Sequence, residues 1–430
     1  MKIVHITPGS GGTFYCQNCF RDNELVKALQ TFNHEVYNVP MYLPLNIDKD
    51  IKEGSTPVFY GAVNVYLKEK IALYRKAPEW LEKLMDSEKV LQYAAKKSGS
   101  TRATGLEEMT ISMLEGEKGR QASELERLIK FLKNEIKPDI VHLSNGLLLG
   151  LAYRMKNDLG AKVICSLQDE NEWIDPMEEK YQDGVWNLMA EKAHFVDKFI
   201  TASQYYADKC VKQLNLPKEK IEVVYSGINL SGYKNSSIPE DAPAVGYLCR
   251  IAKGFGLDIL TDAFIKLKQN DHKNLKLYVT GGYTADDNEF VEMIKNKISS
   301  AGLENDFKIF EDFSLDKRKE FLASLSLLSV PVIAGEAFGA YMIEAMASGV
   351  PVLQPEAGCY PEFVNLTGGG VIYNPNNPDV LAENMSKLLN DREKLVSMGQ
   401  QGKSIIDKEF TVIKMAEKTL QVYEKALNNK

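Results

Sequence analysis

The sequence predicts an α/β fold with two doubly wound parallel sheets, each in its own domain. Short β-branched runs alternate with helical segments in both halves of the chain. A polar stretch after Gly227 separates the two series. The 430 residues are enough for two or three hydrophobic cores, so two Rossmann-like domains account for the length.

The first half begins with a strand, a helix and a second strand. Between about 51 and 137 this alternation gives way to a predicted hairpin at 58–67 and amphipathic helices such as 123–135. We interpret this stretch as an insertion in a first domain that covers 1–228. The elements predicted for that domain are strands at 2–7, 34–39, 140–143, 162–167 and 199–202, and a helix at 21–31.

The second half repeats the alternation after the stretch INLSGYKNSSIPEDAPA, whose polar, Ser- and Pro-containing sequence predicts a linker. We predict a second domain over 243–411 and a last helix, within 412–430, that crosses back onto the first domain. In open sheets of this kind ligands bind beyond the carboxyl ends of the strands, so two facing domains would leave a cleft there. The strands predicted for the second domain are 245–248, 275–280, 307–310, 327–331 and 352–354.

Composition excludes several classes of function. The formal net charge is -7, with 52 Lys and Arg against 59 Asp and Glu, which disfavours nucleic acid as a main partner. No apolar stretch approaches the roughly 18 to 20 residues of a transmembrane helix, although peripheral membrane contact stays open. Six scattered cysteines fit a reducing compartment, and we expect a cytoplasmic protein.

The most informative segment, 331–362, reads PVIAGEAFGAYMIEAMASGVPVLQPEAGCYPE. A predicted strand ends at a loop with Glu336, and a helix runs from Ala340 until Gly349 stops it. The free N–H groups and the partial charge of roughly +0.5 at a helix N-terminus suit a diphosphate, and Gly339 permits close backbone approach.

Two carboxylates flank this helix start, Glu336 before it and Glu344 one turn inside. A carboxylate accepts two hydroxyl hydrogen bonds at once, which matches the vicinal diol of a ribose or a hexose. The simpler interpretation makes Glu336 a solvated loop residue and Glu344 part of an exposed helix face. Against it, Glu344 lies between Ile343 and Ala345 in an apolar helix.

This segment resembles the Glu-x7-Glu signature of family-4-type retaining glycosyltransferases, the group 1 glycosyl transferases. The resemblance continues through AMASGVPV, AGCYPE and NPNNPDVLAENMSKLL. It implies a GT-B fold and transfer of a hexose-type sugar from a nucleotide-diphosphate sugar to a hydroxyl acceptor. It also implies retention at the anomeric carbon, with no metal or cofactor.

The same resemblance implies roles for individual residues of the second half. Glu336 would contact the hydroxyls of the donor sugar and Glu344 the ribose. The backbone from Phe338 through Gly339 to Ala340 would contact the sugar and the diphosphate. Backbone groups around Phe310, in the 307–313 loop, would hold the base, which leaves UDP, GDP and ADP donors open.

Arg250 and Lys253 are the candidate cations for the leaving diphosphate. They follow a predicted strand in GYLCRIAKGFGLDILTDAFIKL, which looks like the family's Arg and Lys-Gly segment. The family usually has its lysine about five residues after the arginine, where this chain has Phe255. Lys253 either reaches the phosphate from a shifted position or is a surface residue, and in that case the lysine contribution is missing.

The first half carries weaker signals. Gly12 ends a glycine-rich loop that can approach phosphate or acceptor, but the loop is not GxGxxG. His142 lies at a strand end, where structural and functional roles are equally expected of a lone histidine. Gln168 and Asp169 lie in CSLQDENEW, at the place where many family members carry a histidine near the reacting sugar. Glutamine can hydrogen-bond a hydroxyl but cannot take up its proton.

Cys16 and Cys19 have the spacing of a redox motif or of half a zinc site, but no second pair completes a metal site. We favour a loop that shapes the acceptor side. Two other functions stay open for the chain as a whole. One is a nucleotide-sugar epimerase of the same architecture, and the other is a noncatalytic nucleotide-sugar-binding protein.

Overall fold

The computed structural model describes residues 1–8, 14–41, 60, 105–236, 242–270 and 272–428. The chain divides into two compact units. Unit 1 comprises Met1–Gly12, Asn18–Tyr225 and Met415–Lys430, and unit 2 comprises Thr13–Gln17 and Ser226–Lys414. The predicted hairpin at 58–67, apart from residue 60, and the candidate Gly12 lie outside the described residues.

Unit 1 is built on a six-stranded, all-parallel sheet with the strand order β2-β1-β3-β4-β5-β6. Its strands are β1 (Lys2–Thr7), β2 (Glu35–Pro40), β3 (Ile140–Leu143), β4 (Lys162–Leu167), β5 (Lys198–Thr201) and β6 (Ile221–Val223). Its helices are α1 (Gln17–Gln30), α2 (Glu107–Glu115), α3 (Ala122–Phe131), α4 (Ala152–Leu159), α5 (Glu170–Ile174), α6 (Glu179–Lys192) and α7 (Gln204–Gln213). The first residue of α1, Gln17, belongs to unit 2.

The central strands of unit 1 are apolar runs because helices cover both faces of a parallel sheet. Ile3, Val4 and Ile6 of β1 have no exposed surface. Two histidines interrupt these runs at paired positions, His5 in β1 and His142 in β3, and both are completely buried.

Unit 2 has a second six-stranded, all-parallel sheet with the order β12-β11-β10-β7-β8-β9. Its strands are β7 (Ala244–Leu248), β8 (Lys276–Thr280), β9 (Phe307–Phe310), β10 (Leu327–Leu328), β11 (Val352–Pro355) and β12 (Gly370–Tyr373). Its helices are α8 (Leu257–Gln269), α9 (Asn288–Ser300), α10 (Leu315–Ala323), α11 (Ala340–Ala347), α12 (Tyr360–Thr367), α13 (Pro378–Leu389) and α14 (Arg392–Glu409). A last helix, α15 (Val412–Asn428), begins in unit 2 and continues into unit 1.

The strand order of unit 2 reverses between β7 and β10, which pair in parallel at Leu327 with Val245. In doubly wound sheets this reversal opens a crevice at the carboxyl ends of the two strands. Arg250 follows β7, and the loop with Glu336 follows β10. The topology of unit 2 therefore brings two of the predicted site segments to the same edge of its sheet.

The predicted fold class is confirmed, with differences at the sheet edges. Sequence patterns miss β6 and β12, whose side chains are mostly half-buried and so carry little apolar periodicity. The strand predicted at 327–331 is only Leu327–Leu328, because the chain turns into the site loop afterwards. Among the described residues, none of the helices combines the length and apolar character needed to cross a membrane.

Candidate functional site

The loops that follow β10 and β11 in unit 2 are in close backbone contact just before α11. Gly335 and Gly358 both have left-handed backbone, with φ of 69° and 55°. A Cβ on Gly335 would lie 2.4 Å from the Gly358 nitrogen, and one on Gly358 would lie 2.4 Å from the Glu336 nitrogen. The Cys359 N–H also donates to the Glu336 carbonyl at 3.0 Å. These contacts fix the backbone of Glu336 just before the helix.

The Glu336 side chain is 2% exposed, and three donors surround its carboxylate. The hydroxyls of Tyr341 and Tyr360 both donate to Oε2, the latter at 2.7 Å, and Gln17 Nε2 donates to Oε1 at 2.9 Å. Burial raises the pKa of Glu336, although the three hydrogen bonds oppose this by favouring the charged form.

The N-terminus of α11 lies beside this carboxylate, and its first backbone N–H group is hydrogen-bonded to the same glutamine. The Ala340 N–H donates to Gln17 Oε1 at 2.9 Å. One amide side chain therefore joins the carboxylate to the helix start. Its NH2 group makes the kind of bond that a sugar hydroxyl would make to Glu336. Its carbonyl oxygen stands where a phosphate or hydroxyl oxygen would accept from the helix.

Glu344 is 3% exposed and forms a buried ion pair. Its Oε2 accepts from Arg318 Nε at 3.0 Å and from the Tyr233 hydroxyl at 3.1 Å, while its Oε1 accepts from the Tyr15 hydroxyl at 2.7 Å. Burial works against the charge of Arg318, but the Glu344 carboxylate raises the pKa of Arg318 above its ordinary value. The interpretation of Glu344 as an exposed helix face is therefore wrong.

The two candidate cations differ in their surroundings. Arg250 is half-buried, and its guanidinium donates to Asp287 Oδ2 at 2.8 Å from Nη2 and 3.3 Å from Nε. Although burial favours the neutral acid, this pairing holds the pKa of Asp287 below its ordinary value. Lys253, in contrast, is exposed. Arg250 is thus a fixed positive charge and Lys253 a solvated one.

The remaining donor-side candidates present their backbone rather than their side chains. Phe338 is 5% exposed and packs edge-to-face on Phe363, with ring centroids 4.9 Å apart. Gly339 directly precedes α11. Phe310 ends β9, where its carbonyl accepts from the Thr280 hydroxyl at 3.0 Å. The structure brings Glu336, Glu344 and residues 338–340 together at the start of α11.

In unit 1, His142 is a completely buried structural residue. One ring nitrogen, Nδ1, lies 2.7 Å from the Tyr423 hydroxyl of α15, and the other, Nε2, lies 2.9 Å from the Ser166 hydroxyl. Burial, together with the nearby His5 and Arg21, lowers the pKa of His142 well below its ordinary value. Its ring therefore stays neutral and ties β3 to β4 and α15.

Gln168 and Asp169 lie in a tight turn after β4 and are both buried. The Gln168 N–H donates to both oxygens of Glu170, which also accept from the Gly146 N–H at 2.7 Å and the Tyr206 hydroxyl at 2.7 Å. Gln168 Nε2 donates to the Ser144 carbonyl. Asp169 adopts left-handed backbone with φ of 53°. Glu170 is therefore the residue that holds this turn together.

Sequence reasoning missed four side chains on the two donor-side carboxylates. Arg318 lies in the charged stretch LDKRKEFL, where its burial has no sequence signal. Tyr15 and Gln17 come from the other end of the chain. Tyr233 comes from the segment predicted to be a linker. Tyr341 and Tyr360, by contrast, lie inside the segment already singled out, where polar aromatics in an apolar stretch are a recognisable signal.

Comparison with known families gives two matches along the chain. The family described as Glycosyl transferases group 1 matches residues 233–405. The family described as Glycosyltransferase Family 4 matches residues 108–231. The first match covers the whole α11 site apart from Tyr15 and Gln17, and the second covers β3 to β6 of unit 1.

Individual relatives are distant. An uncharacterised glycosyltransferase of Methanocaldococcus jannaschii is 24% identical over 250 residues, which is 53% of this chain and 60% of that protein. The match thus spans less than two thirds of that relative's length. Sucrose-phosphate synthase from Thermosynechococcus elongatus has a TM-score of 0.74 at 16% identity, with 100% of both chains covered. HepE of Anabaena, in complex with UDP and glucose, has a TM-score of 0.69 at 17% identity, with 99% of each covered.

These likenesses, the two parallel six-stranded sheets and the acidic pair around α11 agree with one another. The chain therefore has the GT-B fold, and its residues 233–405 are similar to the group 1 glycosyl transferases.

Proposed function

We propose that the chain is a retaining, metal-independent hexosyltransferase whose unit 2 binds a nucleotide-diphosphate sugar. The proposal rests on the arrangement at α11, where two buried carboxylates lie on either side of a helix start whose Ala340 N–H donates to Gln17. Glu336 would receive hydroxyls of the donor sugar, Glu344 the ribose, and the Ala340 N–H an oxygen of the donor.

The charge distribution supports phosphate chemistry without a metal in this proposal. Arg250 at the end of β7 is fixed by Asp287, and Arg318 is a second buried guanidinium. A preorganised positive group is worth about 3 kcal/mol against developing charge on a leaving group. Arg250 is therefore the residue we assign to the departing diphosphate, with Lys253 as a weaker, solvated contributor.

Retention would follow a front-face course in which the departing phosphate oxygen accepts the proton of the incoming hydroxyl. The place where many family members carry a histidine holds Gln168, which cannot take up a proton at neutral pH. Its neighbour Glu170 already accepts four hydrogen bonds. Gln168 and Glu170 are therefore unsuited to act as a base, which leaves Asp169 and the donor phosphate as proton acceptors, and the front-face course uses the phosphate.

The first donor to test is a UDP-sugar, because HepE, which shares the fold, was solved with UDP and with UDP-glucose. The hydroxyl acceptor, whether a glycan, a lipid or a small molecule, is left to an acceptor screen. We expect the reaction to take place in the cytoplasm.

The test is a thermal-shift titration of UDP, GDP and ADP and of their glucose conjugates. A ligand at about 100 times its Kd should stabilise the protein by about 2.7 kcal/mol. The Glu336→Gln variant should lose the sugar-dependent part of this shift. Glu356→Gln, which changes an exposed carboxylate of the same unit, is the matched control.

The outcomes separate this proposal from its alternatives. A selective shift followed by transfer to an added acceptor, with the anomeric configuration of the donor kept in the product by NMR, supports a retaining transferase. Binding with a change in the donor's own stereochemistry and no transfer points to an epimerase. Binding without turnover points to a noncatalytic protein, and no shift with any nucleotide contradicts the donor site.

A further inference from the structure

Two buried tyrosines of unit 2 donate to the same oxygen atom of Glu336. Tyr341 and Tyr360 have no exposed surface, and both hydroxyls donate to Glu336 Oε2, that of Tyr360 at 2.7 Å. The two hydroxyl oxygens lie 2.8 Å apart, so the three oxygens form a triangle. A carboxylate oxygen has about two lone-pair sites, and two donors fill them. Oε2 is therefore occupied by the protein itself.

The two tyrosines reach Glu336 from different helices. Tyr341 is the second residue of α11, and Tyr360 is the first residue of α12. The residue before Tyr360, Cys359, donates its N–H to the Glu336 carbonyl at 3.0 Å. The start of α12 thus holds both the backbone and one carboxylate oxygen of Glu336. Because both oxygens of a carboxylate lie in one plane with its carbon, the direction of Oε1 is set as well.

A buried tyrosine does not need a carboxylate as its partner. The hydroxyl of Tyr373, which is 4% exposed in the same unit, donates to the neutral Asn376 Oδ1 at 2.8 Å. Hydrogen bonds to an ionised acceptor are about twice as strong as neutral ones. Burial and the Glu336 charge raise the pKa of Tyr341 and of Tyr360 well above the ordinary value, so both hydroxyls keep their hydrogens. The pair therefore supplies two permanent donors to a buried charge.

The other oxygen of Glu336, Oε1, is joined through Gln17 to the start of α11. Gln17 Nε2 donates to Glu336 Oε1 at 2.9 Å, and the amide oxygen of Gln17 accepts from the Ala340 N–H at 2.9 Å. A ligand hydroxyl that replaces this amide group would bond to Oε1. Binding of a vicinal diol by both carboxylate oxygens would need Oε2 as well, which the tyrosines already fill.

We propose that Tyr341 and Tyr360 are positioning residues, which hold Oε2 of Glu336 so that Oε1 alone accepts a hydroxyl of the donor sugar. The two tyrosines do not touch the sugar and act through the carboxylate. This assignment rests on the proposed function, in which Glu336 contacts the donor sugar.

The same two hydroxyls keep Glu336 ionised. Burial raises the pKa of Glu336, and the hydrogen bonds from Tyr341, Tyr360 and the neutral Gln17 lower it. Removal of one tyrosine hydroxyl removes a bond that favours the charged form, so the pKa of Glu336 rises and the carboxylate takes up its proton at a higher pH. One hydrogen bond to a charged group corresponds to about 1 to 2 pKa units.

The neighbouring groups titrate in a different pH range. Carboxylates titrate in acid, whereas thiols and phenols ordinarily titrate above about pH 8. Asp258, a carboxylate near Tyr247 of β7, is the same in wild type and in the variants below. A shift in the acid limb of sugar binding between these proteins therefore reports on Glu336. The titratable groups around Glu336 and its tyrosines are phenols and thiols: Tyr341, Tyr360, Tyr247, Cys249 and Cys359.

The experiment measures the Kd values of UDP and of UDP-glucose by isothermal titration calorimetry on the full chain, from about pH 5 to about pH 8. In Tyr341→Phe and in Tyr360→Phe, the pH below which UDP-glucose binding weakens should rise by about 1 to 2 units. On that acid limb, each unit corresponds to an about 10-fold higher Kd for UDP-glucose. The Kd of UDP, which lacks the sugar, should stay as in wild type.

Two further variants serve as controls. Tyr373→Phe removes a buried tyrosine hydroxyl that bonds to Asn376, and it should change neither the Kd values nor the acid limb. Glu336→Gln has no proton to take up, so its weakened UDP-glucose binding should no longer depend on the protonation of residue 336. Comparison between proteins at each pH cancels the titration of the nucleotide itself.

The outcomes separate the positioning role from a structural one. An unchanged acid limb in both tyrosine variants, or an equal weakening of UDP and UDP-glucose, overturns the positioning role. The proposed function then stands if Glu336→Gln still binds UDP-glucose more weakly than wild type. If Glu336→Gln binds it like wild type, or if wild type binds none of UDP-, GDP- and ADP-glucose, both proposals are overturned. If one tyrosine variant does not fold, the other decides, because each hydroxyl makes its own bond to Oε2.

Discussion

The buried polar cluster at α11 in unit 2 and the one at the ends of β3 and β4 in unit 1 differ in how completely their atoms are paired. At α11 in unit 2, every carboxylate oxygen of Glu336 and Glu344 accepts at least one hydrogen bond. In unit 1, the Ser144 hydroxyl and Gln168 Oε1 are buried without a hydrogen-bond partner within the described residues.

The difference has a physical reason. A buried neutral polar group without a hydrogen-bond partner lowers the stability of the fold by about 1–3 kcal/mol, which a domain tolerates at a few sites. An unpaired buried charge costs several kcal/mol, so Glu336 and Glu344 need hydrogen-bond donors at all times. Their present donors include tyrosines, a glutamine and an arginine, and a ligand's hydroxyls would take the same places. In the proposed function, these donors are the groups that a bound ligand would replace.

Removal of Arg318 should have the largest effect. Arg318→Met leaves Glu344 buried without its cation, and we expect a loss of about 3–5 kcal/mol in the free energy of unfolding. Urea denaturation measures it. Lys319→Met, on the same helix but paired with the 91% exposed Asp316, should cost less than about 1 kcal/mol. The double variant Arg318→Met/Glu344→Gln should be more stable than Arg318→Met alone. If the losses in the free energy of unfolding of the two single variants simply add, the pairing of Arg318 with Glu344 is contradicted.

The second largest effect is expected for Arg250→Gln, as a loss of catalytic activity. A fixed charge on the leaving diphosphate predicts a fall in kcat of about 100- to 1000-fold in the donor-consuming reaction. Lys253→Gln should change kcat by less than about 3-fold, because its charge is already screened by solvent. Release of nucleoside diphosphate is the readout. Equal losses in the two variants would show that Lys253 does reach the phosphate.

His142 should make unit 1 sensitive to acid. Its pKa is lowered in the folded state, so below the ordinary value of 6.5 the unfolded chain takes up a proton that the native ring refuses. At pH 5.5 this costs about 1.4 kcal/mol relative to pH 7.5. In His142→Gln, this part of the decrease in stability between pH 7.5 and pH 5.5 should disappear. Urea denaturation midpoints at the two pH values measure it. His194→Gln, which changes an exposed histidine, should keep it.

The smallest effect is expected at Ser144. Its hydroxyl is buried without a partner, so Ser144→Ala should leave the free energy of unfolding within about 0.5 kcal/mol or raise it slightly. Ser166→Ala removes a hydroxyl that is bonded to His142 and should cost about 1 kcal/mol. If the free energy of unfolding falls equally in the two alanine variants, the hydrogen bond of Ser166 makes no measurable difference to stability.

Sequence patterns predict the parts of the structure that depend on local chemistry. The alternation of strands and helices, α11 with its carboxylates, and the end of β7 at Arg250 all follow from residues close together in the chain. The partners of the carboxylates do not, because Tyr15, Tyr233 and Arg318 reach Glu344 from segments far apart in sequence. Hydrophobic periodicity reports local structure only, so it cannot predict contacts between segments that are far apart in sequence.

The contact between Gly335 and Gly358 also limits how the loops before α11 can change in sequence. Because Gly335 and Gly358 touch through their backbones, the loops after β10 and β11 have little freedom to diverge separately. A graft that replaces only one of them would push Glu336 out of place. A redesign of the proposed donor site should therefore replace both loops together, in a single step.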